Sequence, residues 1–274
     1  RHWFLTGASS GIGRHLAEII LASGDDLTAT VRRPETLDDL AARYGDQLVV
    51  ERLDVTVKGD IAPVVQRAEA RRPVDVLVNN AGGGIIGATE EFSDADIEGQ
   101  ISLNLLAPVH VTRAFIPAMR TRRAGRIIQI SSASGQGSLP TSSLYHAAKW
   151  GLEGFSECLR QELEGFGVFV TLIEPGGART SSSRNLQYAL ANPAYQDTPA
   201  GQIRAMFENA GDELYTLDPQ KIAHRIFDTA TSEKPPLRVA LGGDAFGVIQ
   251  AALKGRLSAL EAQESLARSV AFDS

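Results

Sequence analysis

Short β-rich runs alternate with longer stretches whose apolar residues recur every three or four positions through most of this chain. The candidate strands are HWFLT, LTATV, LVVERL, VDVLVN, GRIIQIS, VFVTLI and LRVAL, several of them nearly unbroken Val, Ile and Leu. A run that is apolar at every position suits a strand covered on both faces, as in a parallel sheet, better than one with a wet face. The spacing between them predicts helices near residues 11–23, 58–71, 94–121, 143–165 and 218–230. Strand and helix in this alternation predict an α/β fold, a doubly wound parallel sheet of about seven strands with helices on both faces.

No repeat and no linker-like stretch divides the 274 residues, a length that suits one domain over 1–274 with a core needing no staples. The least regular portion, 176–216, is rich in small and polar residues with a few aromatics, and the part around 180–216 reads as a substrate lid. From Asp244 to about residue 272 the apolar spacing is helical again, a tail expected to pack on the domain or on another subunit.

Charge and cysteine content remove several functions. A net charge of -6 argues against a nucleic-acid binder, which needs a surplus of Lys and Arg against phosphate. The densest basic stretch, RTRRAGR at Arg120 to Arg126, falls at an expected helix end, where cations complement the dipole. No apolar run is long enough for a membrane span, and nothing at Arg1 resembles a signal peptide, so a cytoplasmic protein without membrane partners is expected. One cysteine, Cys158, excludes an internal disulfide and reads as a packing residue of its helix. The five histidines lack metal-ligand spacing, and no metal site is expected.

Ligands of open α/β sheets bind beyond the carboxyl ends of the strands, so the first strand–helix turn, TGASSGIG at Thr6 to Gly13, is the first candidate. Gly7, Gly11 and Gly13 permit a tight turn and close backbone approach, and a helix opening near Gly11 aims free N–H groups at an anion. Such a turn can equally be a plain connection. After the second strand come Arg32 and Arg33 and no carboxylate, a set that suits a ribose 2'-phosphate and favours NADP(H) over NAD(H). Tyr145 and Lys149, four residues apart in YHAAK, share a helix face, so an ammonium stays beside a phenol and is expected to favour its ionised form.

With TGASSGIG, LDV at Leu53 to Val55, NNAG at Asn79 to Gly82, Asn104 in SLNLLAP, Ser132 in QISSASG, YHAAK and EPGGART in register, the chain resembles the short-chain dehydrogenase/reductase family over residues 1 to about 241. The resemblance implies a single Rossmann-type domain and a quartet of Asn104, Ser132, Tyr145 and Lys149. It implies that Gly7, Ser9, Ser10, Gly11, Ile12 and Gly13 cradle phosphates and ribose, that Asp54 and Val55 flank adenine, and that Asn80, Ala81 and Gly82 line the adenosine side. Pro175, Gly176 and Thr180 would face the nicotinamide end, and Lys149 the nicotinamide ribose. Two departures stand out: Ala148 where many relatives have Ser, and Gly83 and Gly84 extending NNAG.

The expected activity is NADP(H)-dependent interconversion of a carbonyl and a secondary alcohol, with Tyr145 as acid or base, Ser132 donating to the substrate oxygen, and Asn104 holding a relay water. The alternatives are an NAD(H)-dependent alcohol dehydrogenase of the same family, and a dinucleotide-binding sensor or scaffold, whose usual mark, loss of Tyr or Lys, is missing here. Ile85, Ile86, Leu139, Leu186, Tyr188, Met206 and Phe207 suggest a lipophilic small-molecule substrate. The resemblance also implies a homodimer or homotetramer paired through helices at 94–121 and 143–165.

Overall fold

The computed structural model of the protein describes residues 1–180, 186–209 and 211–272. Its strands are β1 (His2–Thr6), β2 (Asp26–Val31), β3 (Leu48–Arg52), β4 (Val76–Asn79), β5 (Ile85–Ile86), β6 (Gly125–Ile130), β7 (Val168–Pro175), β8 (Gln187–Tyr188) and β9 (Arg238–Leu241). Seven of them form one parallel sheet in the order β3-β2-β1-β4-β6-β7-β9. The order reverses between β1 and β4, which opens a crevice at their carboxyl ends. β5 and β8 form a separate parallel pair, Ile85 against Gln187 and Ile86 against Tyr188.

The helices are α1 (Gly11–Ala22), α2 (Asp38–Tyr44), α3 (Lys58–Arg71), α4 (Asp94–Ile101), α5 (Ala107–Arg122), α6 (Ser143–Leu163), α7 (Pro199–Glu208), α8 (Pro219–Thr231), α9 (Gly243–Glu261) and α10 (Glu264–Arg268). Trp3 and Phe4, consecutive on β1, point to opposite faces of the sheet, as strand geometry requires. Trp3 stacks on Phe227 of α8 with ring centroids 5.4 Å apart, while Phe4 meets Phe115 of α5 edge-on at 4.8 Å. One core layer accordingly joins Leu16, Ile20, Ile222 and Ile226, and the other Ile61, Val111, Phe115 and Leu159. Burial of each such side chain contributes roughly 1.5–3 kcal/mol, which fixes both faces of the sheet and the ends of its strands.

Besides the short strands β5 and β8, the structure departs from the sequence expectations in several places. The helix expected over 94–121 is interrupted by a π-helical stretch, Ser102–Leu106, that carries Asn104. Two helices appear where none was expected, α2 and α7, the latter inside the irregular segment. The lid expected over 180–216 includes residues 181–185 and 210, which lie outside the described residues. Cys158 is exposed and does not pack: Leu152, Ser156, Leu159 and Leu163 form the buried face of α6, and position 158 falls on the opposite side. The basic run at Arg120 to Arg126 ends α5 as expected, and it also ties elements together: Arg122 pairs with Glu69 at 2.7 Å and Arg123 donates to the Gly165 carbonyl. Among the described residues, no helix is long and apolar enough to cross a membrane.

Candidate active site

β1 delivers the glycine turn to the crevice, and a network centred on Thr6 and Asn80 fixes it there. Thr6 Oγ1 accepts from the backbone N–H groups of Asn80 and Ala81, each at 3.0 Å, and Asn80 Nδ2 donates to the carbonyls of Thr6 and Gly7, also at 3.0 Å. The Asn80 side chain is therefore spent on holding two loops together. Gly13 sits so close that a Cβ there would stand 2.3 Å from the Gly7 carbonyl oxygen and 2.5 Å from Asn80 Nδ2. Ser9 and Ser10 are exposed, Ser10 is the N-cap of α1 without a side-chain hydrogen bond, and the first turn has no acidic residue. The first turn of α1, through Gly11, Ile12 and Gly13, thus presents backbone donors and a positive dipole end with no competing carboxylate, the chemistry a pyrophosphate needs.

Arg32 and Arg33 are exposed after β2. Asp54 faces this loop from the end of β3; the Thr56 hydroxyl at 2.7 Å, chiefly, holds its carboxyl below the ordinary range, with the Arg32 charge adding to the effect. Val55 is 7% exposed and belongs to the core cluster of Phe4, Ile61 and Val111, so its side chain serves packing more than the crevice. Across the crevice, Pro175 ends β7, Gly176 N–H donates to the Leu241 carbonyl, and Thr180 lies against the glycine turn, where a Cβ on Gly11 would stand 3.1 Å from Thr180 Cβ. The sequence-predicted cofactor residues therefore line one crevice, with Val55 turned inward and Asn80 already engaged.

α6 and the end of β6 bring the remaining groups together. Tyr145 is partly buried, and its hydroxyl hydrogen-bonds Ser132; burial pushes its pKa up and the Ser132 contact offsets part of that. Lys149, 5% exposed, donates from Nζ to the Ile130 carbonyl at 2.8 Å and lies over the Tyr145 ring at 5.5 Å from its centroid. Burial pulls Lys149 down to about 8, partly offset by Glu153. The expectation that the ammonium lowers the tyrosine pKa is reversed here: desolvation of the phenolate outweighs a cation aimed at a carbonyl and at the ring. Asn104, 1% exposed, gives Nδ2 to the carbonyls of Gly83 at 2.9 Å and Gln100 at 3.2 Å, and its Oδ1 accepts from Gly83 N–H at 3.3 Å. A Cβ on Gly82 would lie 3.0 Å from Asn104 Oδ1 and 3.9 Å from Lys149 Nζ, so Asn104 and Lys149 flank the same glycine.

Several contributors escaped the sequence reading. His146 accepts the Leu139 N–H at Nε2 and bonds the Ser134 carbonyl through Nδ1, bracing the loop after Ser132. Asp244, at the start of α9, accepts the Gly177 N–H at 2.7 Å, and Arg256 reaches the Gln136 carbonyl at 2.8 Å, so the C-terminal helix touches both lips of the crevice. The signal available for Asp244 was only its place directly after the glycine pair Gly242–Gly243; Arg256 offered none. On the substrate side, Ile85 and Ile86 are buried, Ile85 in a small cluster with Phe92 and Ala189, whereas Leu139, Tyr188 and Met206 are each more than a third exposed.

The family described as short chain dehydrogenase matches residues 1–190. Oxidoreductase BOA17 of Botryotinia fuckeliana is 35% identical over 89% of this chain and 89% of its own, and human retinol dehydrogenase 8 is 34% identical over 85% and 79%. A solved short-chain dehydrogenase from Streptomyces avermitilis superposes with a TM-score of 0.90 at 39% identity, covering 99% of this chain and 98% of that one. A metagenomic short-chain oxidoreductase in complex with NADP gives 0.70 at 28% identity over 88% and 96%. With its glycine turn, its seven-stranded sheet and these matches, the chain belongs to the short chain dehydrogenase family of oxidoreductases.

Proposed function

We propose that the protein is an NADP(H)-dependent oxidoreductase that interconverts a carbonyl and a secondary alcohol, with Tyr145 as the proton carrier. The observation that carries this reading is the hydroxyl of Tyr145 bonded to Ser132 with buried Lys149 beneath its ring. A bound nicotinamide cofactor supplies or accepts the hydride. The chain's own groups handle the oxygen and the proton. Ser132 donates to the substrate oxygen as negative charge builds there. Tyr145, its pKa raised by burial, is set to give its proton to that oxygen in reduction and to take it back in oxidation. Lys149 spends one of its three donors on Ile130, leaving two for a ribose hydroxyl and for the phenolate left after proton transfer. Asn104, held at Gly83, keeps the segment beside Lys149 in place.

Exposed Arg32 and Arg33 support a 2'-phosphate, and an NADP complex of a relative agrees with that preference. The exposed Leu139, Tyr188 and Met206, together with a retinol dehydrogenase among the relatives, support a lipophilic substrate. The test is titration of the protein with NADPH and with NADH, followed by a panel of lipophilic ketones, watching absorbance of the reduced cofactor. Tighter NADPH binding and its consumption on at least one ketone are expected. Tyr145→Phe should keep NADPH binding within about threefold while turnover falls by about 10²–10⁴, the usual worth of a general acid. Retained turnover in Tyr145→Phe refutes the assignment. NADPH binding without turnover on any carbonyl or alcohol points instead to a sensor.

A further inference from the structure

Two carboxylates lie buried behind the candidate active site, and none of the roles above uses them. Glu153, one helical turn after Lys149 on α6, is 4% exposed, and Glu174, the residue before Pro175 on β7, is 2% exposed. Ser131 Oγ donates to Glu153 Oε1 at 2.5 Å. Gln136 Nε2 reaches Glu153 Oε2 and Glu174 Oε1, each at 3.2 Å. From β9, Arg238 Nε lies 2.9 Å from Glu153 Oε2 and 3.6 Å from Glu174 Oε1, and its other arm is 3.1 Å from Glu157. The turn that carries Ser132 closes directly on this group: a Cβ on Gly135 would stand 2.8 Å from both Glu153 Cγ and Ser131 Oγ.

The surroundings of Glu153 lead to both the catalytic and the cofactor side of the candidate site. Ser131 adjoins Ser132, Lys149 is its i−4 neighbour, and Glu174 adjoins the Pro175–Gly176 lip. Arg238 is the guanidinium that bonds this group, and burial, with the Glu153 charge adding to it, pushes Glu174 up to about 7. Glu153 lies one helical turn from Lys149 and offsets part of the effect of burial on it. The charged groups around it are Glu174 from β7, Arg238 from β9, Lys149 and Glu157 on its own helix, and Arg256 of α9, which reaches Gln136 from outside.

We propose that Glu153 is a positioning residue for the reaction, holding Ser132 in place through Ser131 and compensating the charge of buried Lys149 from one helical turn away. The assignment rests on the roles given to Ser132, Tyr145 and Lys149 under the proposed function. It differs from a merely fold-stabilising cluster in what it does to the pH profile.

The test compares kcat and kcat/KM against pH for the full-length protein, with NADPH and a ketone the wild type reduces, in Glu153→Gln, Glu153→Asp and Ser131→Ala. Glu153→Gln should move the alkaline limb of kcat/KM down by about one pH unit, because Lys149 loses its nearby anion and gives up its proton sooner. Glu153→Asp keeps the charge and should keep the limb. Ser131→Ala leaves every charge in place and should lower kcat about tenfold, with KM and the limb unchanged. A folded Glu153→Gln whose limb stays put overturns the proposal, as does an unchanged kcat in Ser131→Ala. If Glu153→Gln does not fold, the Ser131→Ala result decides alone. Tyr145→Phe is assayed beside them: if it retains turnover, the catalytic reading has failed and this proposal falls with it; if it is inactive, the other variants report on Glu153 itself.

Discussion

The two sides of the crevice are built differently. The side formed by β1, β4 and the start of α1 is close-packed backbone locked by two short side chains: Thr6 and Asn80 pin the glycine turn through four contacts of 3.0 Å, and Gly13 leaves no room for a methyl group. The opposite side, from Ile85 to Phe92 and from Leu186 to Asn209, is held by a two-residue strand pair and by side chains. There Arg204, 15% exposed, binds Glu91, 3% exposed, at 3.3 Å and the Ala189 carbonyl at 2.8 Å. Glu91 also accepts the backbone N–H groups of Ala88 and Asn192, each at 2.7 Å. A ligand shared by all members of a family can be met by fixed backbone, whereas a substrate side suspended from a few side chains can change without disturbing the sheet.

The largest effect should come from breaking the rigid side. Gly13→Ala must push the Gly7 carbonyl and Asn80 apart, an overpacking that costs about 1–3 kcal/mol and displaces the donors at the start of α1. Cofactor affinity should fall about a hundredfold or more, with a modest loss of Tm. Calorimetric titration with NADPH checks it, and unchanged affinity would mean the turn does not hold the cofactor.

The same contrast explains what could be read from the sequence. The glycine turn, the Tyr145–Lys149 spacing and the strands buried on both faces rest on local pattern, and local pattern is visible in one dimension. Asn104 was visible as a residue, but its π-helical backbone was not, since the five-residue stretch Ser102–Leu106 is too short for its own period to stand out between two α-helices. The burial of Glu153 has no local sign in the sequence, because its partners Ser131, Gln136, Glu174 and Arg238 come from four other segments. Cys158 failed in the other direction: its helix carries an apolar stripe, yet the helical phase turns it outward. α7 and β8 were hidden in a stretch whose small polar residues give no period, and they are fixed by distant contacts such as β8 to β5 and Arg204 to Glu91.

Between the two sides lie Arg32 and Arg33, exposed and attached to the rigid half only by the end of β2. Replacing both with Ala should weaken NADPH about 10- to 100-fold, the worth of charge-assisted contacts to a phosphate, and NADH by less than about threefold. Equal weakening of both cofactors would remove the 2'-phosphate assignment.

Lys149 provides a test in pH, with activity and stability moving in opposite directions. Its pKa is lowered from 10.5 to about 8 by burial, so the folded state carries fewer protons than the unfolded state between those values. Its contribution to stability therefore rises with pH across that window and is lost as pH falls through about 8. Reduction needs the ammonium, so kcat/KM should decline above about 8. The measurements are a pH–rate profile and Tm against pH for the wild type relative to Lys149→Met; a rate that keeps rising past that limb would contradict the role given to the lysine.

The smallest effect should come from the suspended side. Arg204→Met removes the guanidinium that joins α7 to Glu91 and to the Ala189 carbonyl, while leaving Glu91 its two backbone donors and the sheet untouched. Losing one partner of a buried pair normally costs about 3–5 kcal/mol when the whole fold must bear it. Here the carboxylate stays bonded and the segment can loosen by itself, so the loss should be local: Tm within a few degrees of wild type, faster amide exchange over residues 186–209, and NADPH affinity unchanged. KM for a lipophilic ketone should rise about threefold to tenfold with kcat nearly constant, since a loosened wall weakens ground-state and transition-state binding alike. If NADPH affinity fell as much as ketone affinity, the two sides of the crevice would be one mechanical unit after all.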